Sequence, residues 1–274
     1  AIVKALTKAI KNYAGEIRTG VGVKRILVDQ KNGSKKFQAS GVELQNGEII
    51  RAKQVISNTD PGKTYDMVGA GYLSKKLQEK LAKTRYSLTS LMFFITVDMD
   101  LRETGIDSGN IWMMPDRDLD DLYNELTSVN LLEKEDYATL FISCSSIKDP
   151  TSFNGKEHTL EVVTFIGYDL FKSALPNGEG YTEAYTDLKN KLCEKLIKNL
   201  SKAIPGIREN IIQMEMGTPT TNEFYINGTN GNVYGTEKGF MQTGPFSFAA
   251  KTEIDNLYMC GASIMAHGVA GSGY

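Results

Sequence analysis

Asn256-Leu257-Tyr258-Met259-Cys260-Gly261-Ala262-Ser263, followed by His267-Gly268-Val269-Ala270-Gly271-Ser272-Gly273, is the stretch whose reading decides the fold. Residues 256–260 read as a short buried strand. Gly261 follows at once, and a glycine there lets a backbone approach a ligand closely because no Cβ intervenes. A run of small residues then opens a helix, whose first N–H groups are unpaired and sit at the positive end of its dipole. Strand, glycine, small loop and helix start together make a notch of cofactor size. The same residues also suit a glycine-rich strand-to-helix turn with no ligand, and taken alone they leave both readings open.

The flanking chain places this notch in a mixed fold. Gly228, Gly231, Gly235, Gly239 and Gly244 interleave with Tyr, Phe and Val, so the last quarter is ordered rather than low-complexity. At the other end Ile2, Val3, Leu6, Ala9, Ile10 and Tyr13 recur at helical spacing, and Gly15 stops the helix. Three strand-like runs follow, Glu16 to Asp29, Phe37 to Leu44 and Ile49 to Ser57. Asn32-Gly33 and Asn46-Gly47 punctuate them, the strongest short hairpin signal, which predicts a three-stranded antiparallel meander. Its last strand runs into the turn Asn58-Thr59-Asp60-Pro61. The middle alternates elements: a short helix over Leu73 to Lys83, then strands over Leu88 to Met99, Asn110 to Met114, Leu140 to Cys144 and Thr159 to Tyr168. The strongest helix covers Tyr181 to Ile204, with Tyr181, Tyr185, Leu188, Leu192, Leu196 and Leu200 on one stripe. A further strand covers Ile211 to Met216. The fold class is α/β with α+β character.

Composition narrows the chemistry. With 41% hydrophobic and 23% charged residues in 274, the chain has enough apolar mass for a core and is not disordered throughout. A net charge of -2 argues against nucleic-acid binding by bulk electrostatics. The longest apolar stretch, Leu91 to Val97, is too short to span a bilayer. Only two histidines exist, His158 and His267, which leaves no His-rich metal site and no GxSxG elbow to complete a serine triad. Cys144, Cys193 and Cys260 are dispersed and odd in number, and read as reduced buried thiols of a cytoplasmic protein. The acidic run Asp116 to Asp121 reads as a solvated loop and helix start.

Four segments in order carry a family resemblance. The closing stretch above resembles the C-terminal flavin-contacting motif of the phytoene desaturase family, which includes carotenoid isomerases and retinol saturases, within the amine-oxidase-like FAD superfamily. Gly15-Glu16-Ile17-Arg18 with Val23 and Arg25-Ile26-Leu27-Val28 resembles the segment after that family's first helix. Gly41-Val42-Glu43-Leu44, Asn46-Gly47-Glu48 and Val55-Ile56-Ser57-Asn58-Thr59-Asp60-Pro61 resemble the next hairpin and turn. Gly217-Thr218-Pro219 with Asn222, Phe224-Tyr225 and Tyr234-Gly235 resembles the segment leading to the closing motif. The likeness is specific in the first and last quarters and loose between Leu73 and Ile212.

The resemblance implies a cofactor, FAD, and residues that contact it. Val23 would meet the adenine through its backbone, its side chain remaining ordinary strand core. Asn58 lies near the dinucleotide, or is simply part of a solvated Asx-turn before Pro61. Gly261 and Ala262 would pass along the pyrophosphate and ribityl chain, and Gly268, Val269 and Ala270 would sit beside the isoalloxazine. Many related flavoproteins carry an acidic residue where this chain has Ala262, so a carboxylate–ribityl bond is missing there. His267 reads as a hydrogen-bonded loop histidine or a proton donor. No catalytic acid or base is assigned, and no metal.

The resemblance divides the chain into residues 1–60 of an FAD domain, a substrate domain over 61–212, and a return to the FAD domain over 213–274. Phe93, Phe94, Ile111, Trp112, Met113 and Met114 read as core or as the wall of a tunnel for a long apolar substrate. The implied activity is desaturation, saturation or redox-assisted isomerisation of a carotenoid or retinoid-like polyene. Such a substrate suggests peripheral membrane contact. An amine-oxidase-like flavoenzyme and a non-catalytic ligand-binding module that kept the fold are the alternatives. No GxGxxG follows a strand here, so the unit that holds the FAD pyrophosphate is expected upstream of Ala1 and a helix after Tyr274. Accordingly the 274-residue chain, purified from a flavin-replete host, should show no stoichiometric flavin absorption band; such a band would refute the missing-cradle expectation.

Overall fold

The computed structural model describes residues 2–30, 33, 36–172, 174 and 182–268. The chain forms two compact units, residues 1–84 with 241–274, and residues 85–240. These divisions fall later than the 60/61 and 212/213 read from the sequence, and packing accounts for both. Helices α2 (Pro61–Val68) and α3 (Lys75–Lys83) place Tyr65, Val68, Leu77 and Leu81 in the first unit's core with Ile26, Ile254 and Leu257. Residues 233–237 hydrogen-bond back to residues 85–88 of the second unit, as Val233 N to Leu88 O, Ser87 N to Gly235 O and Glu237 N to Arg85 O show.

In the first unit, α1 (Ile2–Asn12) ends as anticipated, but the left-handed residue is Ala14, at φ 58°. Gly15 is needed for space, since a Cβ there would stand 2.6 Å from Ile10 Cγ2. Strands β1 (Val23–Gln30), β2 (Phe37–Leu44) and β3 (Ile49–Arg51) form the expected antiparallel meander. Gly47 turns the second hairpin at φ 87°; Asn32 of the first lies outside the described residues. The run Ile49 to Ser57 is not one strand. After β3 the chain changes partner, and β4 (Val55–Ser57) pairs in parallel with β10 (Leu257–Met259) in a separate sheet, Val55 opposite Leu257 and Ser57 opposite Met259. The turn Asn58 to Pro61 proves to be a helix cap: Asp60 accepts from Lys63 N at 3.0 Å, and Pro61 occupies the first turn of α2, where its missing N–H costs nothing.

The second unit is built on strands β5 (Thr89–Val97), β6 (Asn110–Met113), β7 (Leu140–Cys144), β8 (His158–Ile166) and β9 (Ile211–Gly217). Every pair is antiparallel, in the order β6-β7-β8-β5-β9. Helix α4 (Leu119–Leu126) starts within the acidic run, capped by Asp118 with Asp120 and Asp121 in its first turn. Helix α5 (Glu183–Ala203) keeps the anticipated stripe; Tyr181 lies outside the described residues. Helix α6 (Pro219–Ile226) follows β9.

Period-two alternation sorts this sheet into two unlike faces. Ile111, Ile142, Val162, Phe93 and Met216 are register partners across all five strands. They join one core with Tyr185, Leu188, Leu192, Leu196 and Leu200 of α5. Each large side chain buried there contributes about 1.5–3 kcal/mol. One residue along, Trp112, Phe141, Val163, Met92 and Gly217 make the matching row on the opposite face. Phe93 is 0% exposed and its neighbour Phe94 is 46% exposed. Phe93→Ala should therefore cost about 3–5 kcal/mol in urea denaturation, and Phe94→Ala less than about 1. Equal losses would contradict the face assignment.

Candidate functional site

In the first unit, β4 and β10 run parallel, so both carboxyl ends open at one edge. Loops 58–60 and 261–268 leave from there. Crevices outside the carboxyl ends of parallel strands are where open α/β sheets bind ligands. The first loop is held rigidly. Ser57 Oγ, Thr59 Oγ1 and Thr64 Oγ1 form a closed triangle of hydroxyls, with separations of 2.7, 2.8 and 3.0 Å. Cys260 N donates to Ser57 O at 3.0 Å, which extends the parallel pairing to the start of the second loop. Gly261 then adopts φ 96° and begins a turn closed by Ile264 N to Gly261 O at 3.1 Å.

Asn58 and Gly261 meet here: a Cβ on Gly261 would lie 2.3 Å from Asn58 Oδ1. Asn58 itself is exposed, and Ala262 is half-buried in the turn. Gly268 lies further along, exposed, at φ 74° with open space where a Cβ would be. His267 is half-buried beside it. Val269 and Ala270 lie outside the described residues. Val23 stands on the other sheet, as the first residue of the edge strand β1, and is 39% exposed. The expectation that its side chain is strand core fails, because a bulge between Val23 and Arg25 breaks the alternation at the strand's start. Cys260 is likewise exposed rather than buried, since it follows the last paired residue of β10; Cys144 is buried and Cys193 half-buried.

These features fit one edge of a dinucleotide site. The parts are a loop held by hydroxyls, the edge strand β1, and a notch at Gly261 in which the Asn58 side-chain oxygen stands.

In the second unit one face of the sheet carries exposed and half-buried aromatic side chains. Trp112 is 59% exposed and packs on Phe141 with ring centroids 4.8 Å apart. Phe165, further along β8, packs on Tyr234 at 5.8 Å. Of the residues read as core or tunnel wall, Phe93, Ile111 and Met113 belong to the core, and Phe94 and Trp112 face the open side. Beside the β6 edge lies a cavity of about 630 Å³ whose lining includes Trp112, Met114, Tyr137 and Leu140. Its rim charges pair among themselves, Arg117 with Glu125 and Lys202 with Asp136, both at 2.7 Å, so the rim offers these groups no unmet charge. Among the described residues no helix is long and apolar enough to cross a membrane.

No family model matches the chain. It is 28% identical over 281 residues to all-trans-retinol 13,14-reductase of Danio rerio. It is 29% identical over 272 residues to the chloroplastic prolycopene isomerase of Daucus carota, and 25% identical over 268 to phytoene desaturase of Neurospora crassa. Each match covers 96% of this chain. The chain is homologous to these proteins. It spans only 44%, 39% and 43% of their respective lengths. Among solved structures, an oxidoreductase from Methanosarcina mazei superposes with TM-score 0.61 at 16% identity, over 99% of this chain and 51% of that one. Cyclohexylamine oxidase from Brevibacterium oxydans superposes with TM-score 0.57 at 15% identity, over 98% and 48%. The fold is the one these oxidoreductases share.

The contact of Gly261 with Asn58 is directly testable. Gly261→Ala should destabilise the chain by about 1–3 kcal/mol, from its positive φ and the clash together. Adding Asn58→Gly should recover the clash part, measured as the non-additivity of the pair in urea denaturation. Strict additivity would show that the two residues do not touch.

Proposed function

We propose that the chain is part of an FAD-dependent oxidoreductase that acts on an apolar polyene of carotenoid or retinoid type. The observation that carries this reading is the apolar row Trp112-Phe141-Val163-Met92 on the open sheet face, in a chain homologous to proteins named for retinol, prolycopene and phytoene. A long, uncharged, unsaturated chain suits such a row, because burial of its surface needs no polar partner. Residues 85–240 would be the substrate domain, and residues 1–84 with 241–274 part of the FAD domain.

FAD would supply the hydride or electron transfer. This chain's own residues bind and orient. The backbone of Val23 would meet the adenine end, Asn58 and Gly261 would let the dinucleotide approach the β4–β10 edge, and Ala262, Gly268, Val269 and Ala270 would follow its length. Met92, Phe94, Trp112 and Phe141 would align the polyene and exclude water. An apolar substrate partitions into lipid, so we place the enzyme in peripheral contact with a membrane.

The test uses the protein extended to its relatives' length and reconstituted with FAD. Its flavin band should bleach anaerobically with a polyene, or the reduced flavin should reoxidise with one, and amines should do neither. Met92→Glu should raise KM for the polyene about tenfold or more, because a carboxylate is forced into an apolar row, while flavin content stays unchanged. Bleaching by amines alone would overturn the polyene reading.

A further inference from the structure

Charge is almost absent from the five-stranded sheet of the second unit. In β5 to β9 the only Asp, Glu, Lys or Arg residues are Glu161 and Glu215. Register sets both against one residue. Phe94 of β5 stands opposite Glu161 of β8 on one side and opposite Glu215 of β9 on the other. Directly opposed residues share a face, so both carboxylates belong to the open face with Phe94. All three residues are exposed, and neither glutamate has a hydrogen bond or ion pair among the described residues. The row continues through Ser143 to Asn110, and the cation bonded to it, Lys148 Nζ, goes to Asn110 at the far end.

This row lies two residues along the strands from Trp112-Phe141-Val163-Met92, a step of about 7 Å. Strand spacing sets the backbones of Glu161 and Glu215 about 10 Å apart, with Phe94 between them. Two like charges at that separation repel only weakly, yet both act on a group that sits over Phe94. An aromatic ring offers the same group a negative face. A sheet surface built only to face water would carry charges of both signs. Here both charges are negative, both lie in one row, and the row beside them is apolar.

We propose that Glu161 and Glu215, with the Phe94 ring between them, stabilise positive charge on the polyene during its redox conversion. This rests on the polyene reading above and deepens it. When a C–H bond of the polyene breaks and the hydrogen leaves with both electrons for the flavin, the chain is left with one positive charge. Loss of a neighbouring proton to water then completes a desaturation. In saturation a proton joins the chain first, and hydride from reduced flavin neutralises it. In both directions the charge spreads along the conjugated chain in the neighbouring row, and two fixed carboxylates beside it lower its energy with no rearrangement of the protein.

Two measurements test this. Trp112, the single tryptophan, stands in the neighbouring row, so its fluorescence reports binding to the chain without any cofactor. The probes are decyltrimethylammonium and its uncharged isostere with a tert-butyl end, which have the same shape. Wild type should bind the cation about tenfold more tightly than the isostere. The double variant Glu161→Gln, Glu215→Gln should lose that preference while its affinity for the isostere and its urea midpoint stay unchanged. In the protein extended to its relatives' length and reconstituted with FAD, the same variant should lower kcat for the polyene about tenfold or more and leave KM and flavin content unchanged, because the charge is absent from the bound ground state. Equal affinity of wild type for cation and isostere, or a preference that the double variant keeps, would overturn the proposal. A raised KM with kcat unchanged would make the glutamates binding groups only, and a lowered urea midpoint would make them structural; either overturns it. In each of these cases turnover of a polyene by wild type leaves the polyene reading standing. No turnover of any polyene would overturn that reading and the proposal with it.

Discussion

The parallel pairing of Val55–Ser57 with Leu257–Met259 is the interaction on which the rest depends. It joins opposite ends of the chain into one unit and makes residues 85–240 an excursion between the two halves of the first unit. Three consequences follow from three residue pairs. The carboxyl ends of both strands share an edge, the loop at Asn58 meets the loop at Gly261, and Leu257 and Met259 enter a core with Ile26, Tyr65 and Val68. A parallel pair cannot be closed by a tight turn, so its crossover must be long. Here the crossover contains an entire second unit.

Within that unit one constraint, the period of two, separates stability from recognition. Once the α5 stripe covers the row containing Phe93, the row containing Met92 must face the other way. Core and open face are thus adjacent letters in the sequence: Phe93 and Phe94, Ile111 and Trp112. Polar groups are treated in the same economical way. Buried Asn199 is satisfied by Tyr137 N and Asp136, and Asn222 lies within reach of Thr89, Ser90 and Gly231 O. Among the described residues three buried side-chain atoms lack a hydrogen-bond partner: His158 Nε2, Thr164 Oγ1 and Lys238 Nζ.

Elements were legible where pattern and burial agreed. Phe37–Leu44 and Leu140–Cys144 occupy the anticipated residues, and α5 differs at its ends only. The failures have separate causes. Ile49 to Ser57 looks continuous because β-propensity does not record a change of sheet. Asn58 to Pro61 looks like a turn because a capped helix N-terminus uses the same residue types. Val23 looks like core because a bulge leaves no trace in the hydrophobic pattern.

The sequence by itself determined the element types, the glycine at 261 and the family likeness, because local backbone preference and a glycine's missing Cβ are properties of adjacent residues. Only the tertiary structure decided which face of the five-stranded sheet is open, that Asn58 and Gly261 meet, and that Val55–Ser57 pairs with Leu257–Met259. Those are properties of pairs of residues brought together across long separations, where register and burial carry the information that spacing along the chain does not.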